Sequence, residues 1–209
     1  PIVIRRVWEC NLAAEFDLIA TFMPYYPCAS FDTEFPGTVY QAGDHRIPTE
    51  LYAAMKKNVD AMKIIQLGLT LSDWNGNLPH DAEYQYVWEF NFRDFDEDVD
   101  LKNPDSISLL RRHGIAFATN RKLGVDSRDF GAALTGSGIL RPRIWVTFHG
   151  LYDMGYLIKI LTGKELPDGI GAFIDEVAAH LGGRVFDLKT ILRSMGVHGG
   201  LDKAAAALG

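Results

Sequence analysis

Cysteine is nearly missing: the 209 residues contain two, Cys10 and Cys28. A pair so far apart in sequence makes neither a zinc knuckle nor a disulfide framework, so a reducing compartment, cytoplasm or nucleus, is expected. Long apolar runs are missing too. The most apolar stretch, residues 144–161, is interrupted by His149, Asp153 and Lys159, and falls short of the ~18 unbroken apolar residues of a spanning helix. No membrane partner is expected. The opening residues Pro1-Ile2-Val3-Ile4-Arg5-Arg6 do not read as a secretory leader, because the arginines follow the apolar run. Positive charge is scarce: 21 Lys and Arg stand against 27 Asp and Glu, a net charge of −6. That balance argues against a general nucleic-acid coat protein, which would use a basic face to release counterions. It leaves room for an enzyme that meets phosphate through a metal ion.

What is present is material for a core: 47% apolar residues, with 12 Phe, 8 Tyr and 4 Trp. With no internal repeat and no linker, one domain over residues 1–209 is the economical reading. Trp8, Leu12, Phe16, Ile19 and Met23 recur at helical spacing and predict an opening helix that stops near Pro24. Residues 28–35 read as a strand ended by Pro36-Gly37, and residues 48–62 as a helix. Residues 63–71 and 84–92 predict a β-hairpin turning at Asn75-Gly76. In its second strand Tyr84, Tyr86, Trp88, Phe90 and Phe92 share one face, as core or, less economically, as a base-stacking platform. A helix is predicted after Asn103-Pro104 with a stop at Gly114, a strand over 144–148, a helix over 152–161 and a last helix over 201–208. A hairpin beside strand-to-helix crossovers gives an α/β class: a mixed sheet flanked by helices.

Asp32-Thr33-Glu34 lies inside the predicted strand. Residues i and i+2 of a strand share a face, so the two carboxylates project together and repel, unless a proton or a cation intervenes. An all-oxygen site suits Mg²⁺ or Mn²⁺. The plainer alternative is a solvated polar pair at a strand end. Asp153 follows the 144–148 strand into the first turn of the next helix, where it either serves a site at the strand end or caps the helix. Asp187 repeats that context, with capping the better reading. His149 could shape the site; His45, His80, His113 and His198 fall in loops or helix ends, and His180 in a helical run. Arg141 and Arg143, around Pro142, read as a phosphate-steering pair or a solvated turn. Gly136-Ser137-Gly138 lacks the spacing and lysine of a phosphate loop.

Taken in order, these motifs resemble a known family. Ile4-Arg5-x-Val7-Trp8-x-x-Asn11-Leu12-x-x-Glu15-Phe16, then Phe31-Asp32-Thr33-Glu34-Phe35-Pro36-Gly37, are similar to the Caf-one/Pop-two type deadenylases, the nuclease subunit of the carbon-catabolite-repressor–Not complex. The resemblance continues through Asn58-Val59-Asp60, Ile65-Gln66-Leu67-Gly68-Leu69-Thr70 and Trp88-Glu89-Phe90-Asn91-Phe92. It resumes at Phe148-His149-x-x-Tyr152-Asp153-x-Gly155-Tyr156-Leu157, Phe186-Asp187-Leu188-Lys189 and Gly199-Gly200-Leu201. Leu71-Ser72-Asp73 with Gly76-Asn77-Leu78-Pro79 looks most like plant members.

The resemblance implies an RNase-D/RNase-H-like fold and a DEDD-type 3′ exonuclease that removes poly(A) tails from mRNA, releasing 5′-AMP. It implies that Asp32, Glu34 and Asp153 are catalytic acids holding two divalent cations, Mg²⁺ or Mn²⁺, that clamp the scissile phosphate. In that scheme Asp32 bridges both ions, Glu34 holds the nucleophile's ion and Asp153 reaches the leaving-group ion, with Phe35 a wedge against the terminal base. The implied partners are the poly(A) tail, the large Not scaffold subunit and a second deadenylase, in cytoplasm and nucleus. The family also carries a His-Gln-Ala-Gly-Ser-Asp segment after the Gly-Gly-Leu helix, supplying a general base and a fourth acid. The sequence stops at Ala207-Leu208-Gly209 without it. Two expectations follow: a piece of a longer active enzyme, which is favoured, or a chain impaired in turnover that serves as a scaffold.

Overall fold

The aromatic alternation of residues 84–92 becomes a central strand. In the computed structural model, which describes residues 1–44, 47–140 and 144–208, it is β4 (Gln85–Asn91), with Tyr86, Trp88 and Phe90 buried, and Phe92 buried just beyond it. Each such side chain withdrawn from water contributes roughly 1.5–3 kcal/mol, so this face is core and not an open stacking platform. Tyr84 is the exception: it precedes the strand and is exposed.

Six strands form one sheet in the order β1-β4-β3-β2-β5-β6. The others are β1 (Ile2–Val7), β2 (Cys28–Glu34), β3 (Gln66–Ser72), β5 (Ile144–Thr147) and β6 (Val185–Asp187). β4 runs antiparallel to β3, and β3 antiparallel to β2, while β1 is parallel to β4 and β5 is parallel to both β2 and β6. The predicted mixed sheet is therefore observed. The helices are α1 (Leu12–Phe22), α2 (Pro48–Ala61), α3 (Pro104–Arg112), α4 (Phe117–Leu123), α5 (Ser127–Ser137), α6 (Leu151–Thr162), α7 (Ile170–Leu181), α8 (Leu188–Ser194) and α9 (Leu201–Leu208). No helix among the described residues is long and apolar enough to cross a membrane.

Two expectations need correction. The opening helix begins at Leu12, not Trp8, and residues 2–7 form the edge strand β1. Pairing with β4 decides this, together with Arg5, whose guanidinium clasps the buried Glu15 carboxylate of α1 at 2.6 and 2.7 Å. The hairpin also lacks a tight turn. The Asp73 carboxylate collects the N–H groups of Asn75 and Asn77 and the Asn77 amide, organising Asn75-Gly76 as one bend in a longer loop between β3 and β4. His45 and the Arg141-Pro142-Arg143 segment lie outside the described residues. His80, His113 and His198 are exposed.

α6 is the helix that matters for the site. It is buried along Asp153 to Ile158 and packs against α2 on one side and α5 on the other. Gly155 permits the approach to α2: a Cβ there would lie 2.7 Å from the Met55 Sδ and 3.1 Å from Val59. Lys159, on the same helix, points its ammonium at the carbonyls of Val59, Asp60 and Met62 at 2.7–3.1 Å, closing the end of α2.

Candidate active site

β2 outruns its neighbour. It pairs with β3 along its whole length, from Cys28 opposite Ser72 to Glu34 opposite Gln66. On its other side β5 accompanies it only from Cys28 to Ser30. The backbone beyond Ser30 has an open edge, and a buried N–H on such an edge needs an acceptor. Asp153 supplies it: Oδ1 accepts the Thr33 N–H at 2.8 Å and the Thr33 hydroxyl at 2.5 Å.

The strand's alternation sorts the remaining side chains. Ala29, Phe31 and Thr33 are buried on one face, while Asp32 and Glu34 share the other, as the i, i+2 spacing predicts. Asp153 reaches them because of the turn between β5 and α6. His149 takes a left-handed backbone (φ 64°), the one non-glycine among the described residues to do so, a conformation more tolerable for His than for most side chains. Gly150 follows, where a Cβ would stand 2.3 Å from the Thr147 hydroxyl. α6 then starts, with Asp153 in its first turn. Capping is not the role of Asp153, since the helix cap is Gly150. Asp187 does cap: its Oδ1 accepts the Thr190 N–H at 3.1 Å at the start of α8, and its Oδ2 accepts the Gly150 N–H at 2.8 Å. Asp187 thus ties the β5–α6 turn to the β6–α8 junction.

A cleft of about 770 Å³ opens here, walled by Asp32, Thr33 and Phe35, by Tyr40 and Leu51, by His149, Tyr152 and Asp153, and by Arg193. Phe35 lies parallel to Tyr152, with centroids 5.1 Å apart and planes 9° from parallel. One of its faces is therefore taken by Tyr152. Behind this wall sits Asn58, fully buried, the first residue of the Asn58-Val59-Asp60 motif. Its Oδ1 accepts the N–H groups of Val39 and Tyr40, and its amide donates to the carbonyls of Tyr40 and Ala54 and to the Tyr152 hydroxyl. One side chain fixes both the 39–40 segment and Tyr152.

The carboxylates disturb one another. Burial pushes the Glu34 carboxyl up to about 7, and the charges of Asp32 and Asp153 add to it. Asp153 is raised to about 6 by burial, against the opposing hydrogen bond from Thr33. Burial raises Asp32 as well, opposed by a backbone hydrogen bond at Thr33. Three crowded carboxylates that resist ionisation are what a hard divalent cation relieves, and their donor set, all oxygen, fits Mg²⁺ or Mn²⁺. Among the described residues no three ligating side chains already close around an ion-sized point; Asp153 has one oxygen committed to Thr33. His149 is driven the other way: burial and the nearby Lys189 disfavour its charged form.

Residues 7–128 match the CAF1 family ribonuclease. The whole length also aligns with a plant protein, probable CCR4-associated factor 1 homolog 7 of Arabidopsis thaliana, 44% identical over 215 residues, covering 99% of this chain and 78% of that one. The chain belongs to the CAF1 ribonuclease family. Poly(A) ribonuclease pop2 of Schizosaccharomyces pombe is 39% identical over 196 residues, covering 92% of this chain and 57% of that protein. The structure of S. pombe Pop2p in its Mg²⁺- and Mn²⁺-bound form superposes with a TM-score of 0.89 at 38% identity, over 98% of this chain and 81% of that one. Yeast CAF1, co-crystallised with the NOT1 MIF4G domain, gives 0.77 at 34% identity, over 92% and 71%. An E. coli exonuclease I–single-stranded DNA complex, at 14% identity and a TM-score of 0.53 over 81% and 29%, shares the fold alone. The resemblance read from the motifs and the expected RNase-H-like fold both hold.

The sequence names Asp32, Glu34 and Asp153 as candidate acids but not Thr33 as the partner that orients Asp153. It shows Asn58 within a motif but not that Asn58 braces the cleft, and it passes over Arg193. The signal for Thr33 was its place between two acids on the opposite strand face; Arg193 carries none.

Proposed function

We propose that this CAF1-family chain is a divalent-cation-dependent 3′-to-5′ exoribonuclease that shortens mRNA poly(A) tails and releases 5′-AMP, in cytoplasm and nucleus. The observation that carries the reading is the convergence of three acids from β2 and α6: Asp32 and Asp153 line one cleft, and Glu34 lies within electrostatic reach of both. Support comes from relatives named poly(A) ribonuclease and from the Mg²⁺- and Mn²⁺-bound Pop2p structure. Asp32, Glu34 and Asp153 would hold the cations, which when bound supply Lewis-acid stabilisation of the phosphoryl oxygens and acidify an attacking water.

The chain's own residues do the rest. Thr33 fixes one Asp153 oxygen, leaving the other for the cleft. Phe35, stiffened by its stack on Tyr152, borders the terminal base, and Asn58 holds the opposite wall at Tyr40. By the NOT1-bound CAF1 relative, a Not-type scaffold is the proposed partner; a second deadenylase is proposed from the family resemblance alone.

The test is incubation of the protein with 3′-extended oligo(A) and oligo(U) in Mg²⁺ or Mn²⁺, then in chelator. Stepwise, metal-dependent shortening of oligo(A) with release of 5′-AMP supports the proposal. Silence in metal, with binding to a Not-type scaffold intact, would replace it by the scaffold reading.

A further inference from the structure

The cleft has a second wall of opposite sign. Asp32 and Asp153 line the cleft from β2 and α6; α8 brings Arg193 to the same cavity, and the Asp187 carboxylate that lines it there is taken up by the N–H groups of Thr190 and Gly150. Arg193 also borders a smaller hollow of about 80 Å³ beside the cleft, whose lining includes Phe148, Lys189 and His198. In a chain with 27 carboxylates, residues 188–201 contain none, yet hold Lys189, Arg193 and His198. Arg193 makes no ion pair with any described residue. Lys189 lies over the Phe148 ring, 5.9 Å from its centroid, and is likewise without a carboxylate partner among the described residues. Several other cations are committed: Arg5 to Glu15, Lys56 to Asp60, Arg93 to Glu9, Arg111 to Glu97 and Arg128 to Asp126.

Two uncommitted cations beside buried acids have a chemical meaning. Arg193 lines the cavity itself, and both cations act on the His149 imidazole in its wall, with Asp187 opposing them, so both are within electrostatic reach of the cavity. A polyanion entering a chain of net charge −6 is repelled overall. It needs a local positive strip that neutralises backbone phosphates while the reacting end lies against the acids. An Arg fork and a Lys point charge on one helical turn supply this without reading sequence.

We propose that Arg193 and Lys189 form a phosphate-binding strip that holds the polynucleotide backbone as it enters the cleft over α8. The proposal rests on the reading of the cleft as a polynucleotide site, and assigns its electrostatic affinity to these two side chains.

The experiment measures binding of fluorescent oligo(A) and oligo(U) to the intact protein in chelator, across ~50–200 mM KCl. Variants are Arg193→Ala, Lys189→Ala, the double, Arg193→Lys, and Arg128→Ala as a distant control. Each strip substitution is expected to weaken both oligomers about equally, several-fold, and to flatten the salt slope by about 0.7, the single-strand value per phosphate contact. Arg193→Lys should keep the slope. Both side chains lack ion partners, so thermal midpoints should match the parent, separating lost contact from lost fold. Unchanged slopes in both strip variants, or an equal loss in Arg128→Ala, would overturn the proposal. Cleavage by the parent in Mn²⁺ is scored separately. Absent cleavage with a slope that still depends on Arg193 retains the strip and sinks the nuclease reading; cleavage with an indifferent slope does the reverse.

Discussion

Asp153 and Thr33, 120 residues apart in sequence, are joined by two hydrogen bonds to one carboxylate oxygen, at 2.8 Å from the amide and 2.5 Å from the hydroxyl. This pairing fixes where the third acid of the cleft stands. It also splits Asp153 into an oxygen that belongs to the fold and an oxygen left for the site.

Thr33→Val keeps the shape and removes the hydroxyl bond. The buried carboxylate then loses a partner that favours its ionised form, and its pKa rises further above the present value of about 6. The expected result is a loss of roughly 1–2 kcal/mol in denaturant unfolding at neutral pH. The acid limb of the pH–rate profile moves to higher pH, and Thr33→Ser restores it. A Thr33→Val profile superposing on the parent's would show that the bond orients nothing.

Asp32→Asn removes one charge at the most open of the three acids. Cleavage of oligo(A) is expected to fall at least about 100-fold. The thermal midpoint in chelator stays or rises, because a repelling charge has gone. Native-rate cleavage by this variant would remove Asp32 from the site.

Stability without metal should fall as pH rises. Glu34 titrates near 7 and Asp153 near 6 in the folded chain, both above their ordinary values of 4.5 and 3.8. Between about pH 4 and 7 the folded state therefore binds more protons than the unfolded one, so the slope of unfolding free energy with pH is negative. In chelator the thermal midpoint should drop by roughly 3–8 °C from pH 5 to pH 8, after discounting for solvent at the half-open Glu34. Glu34→Gln should flatten the drop. Mn²⁺ should raise the midpoint more at pH 8 than at pH 5. A chelated protein that grows more stable over this range contradicts the assignment.

Asn58→Ala leaves two backbone N–H groups, at Val39 and Tyr40, without their acceptor, in addition to a buried void. A cost of about 2–4 kcal/mol is expected. Because the same amide steadies Tyr152 and the Tyr40 segment, KM for oligo(A) should rise even at temperatures where the variant is fully folded. Equal KM values would make Asn58 a purely structural residue.

Much of this was legible in the chain, for physical reasons that differ by element. α2, β5, α6 and α8 announce themselves through local period and caps: Pro48 at a helix start, Asp187 as a side-chain cap. The shared face of Asp32 and Glu34 follows from strand geometry alone. β1 did not show, because six residues, Ile2–Val7, become a strand only through a partner more than eighty residues away. Asn75-Gly76 suggested a tight hairpin, and the Asp73 carboxylate drew a longer loop around it. The local first-turn position of Asp153 left site and cap both open, while the open edge of β2 that claims it depends on where β5 ends.

The four residues by which β2 outlasts β5 also set an order of events during folding. Residues 7–128, the part that matches the family, carry Asp32 and Glu34 but not the strand and helix that deliver Asp153. Completing the acid cluster requires closing one loop across 120 residues, the slow kind of contact whose entropy is lost before any gain. A chain emerging from the ribosome would therefore present two acids long before the third could join them. RNA nearby, including its own message, would meet no assembled cluster until α6 docks.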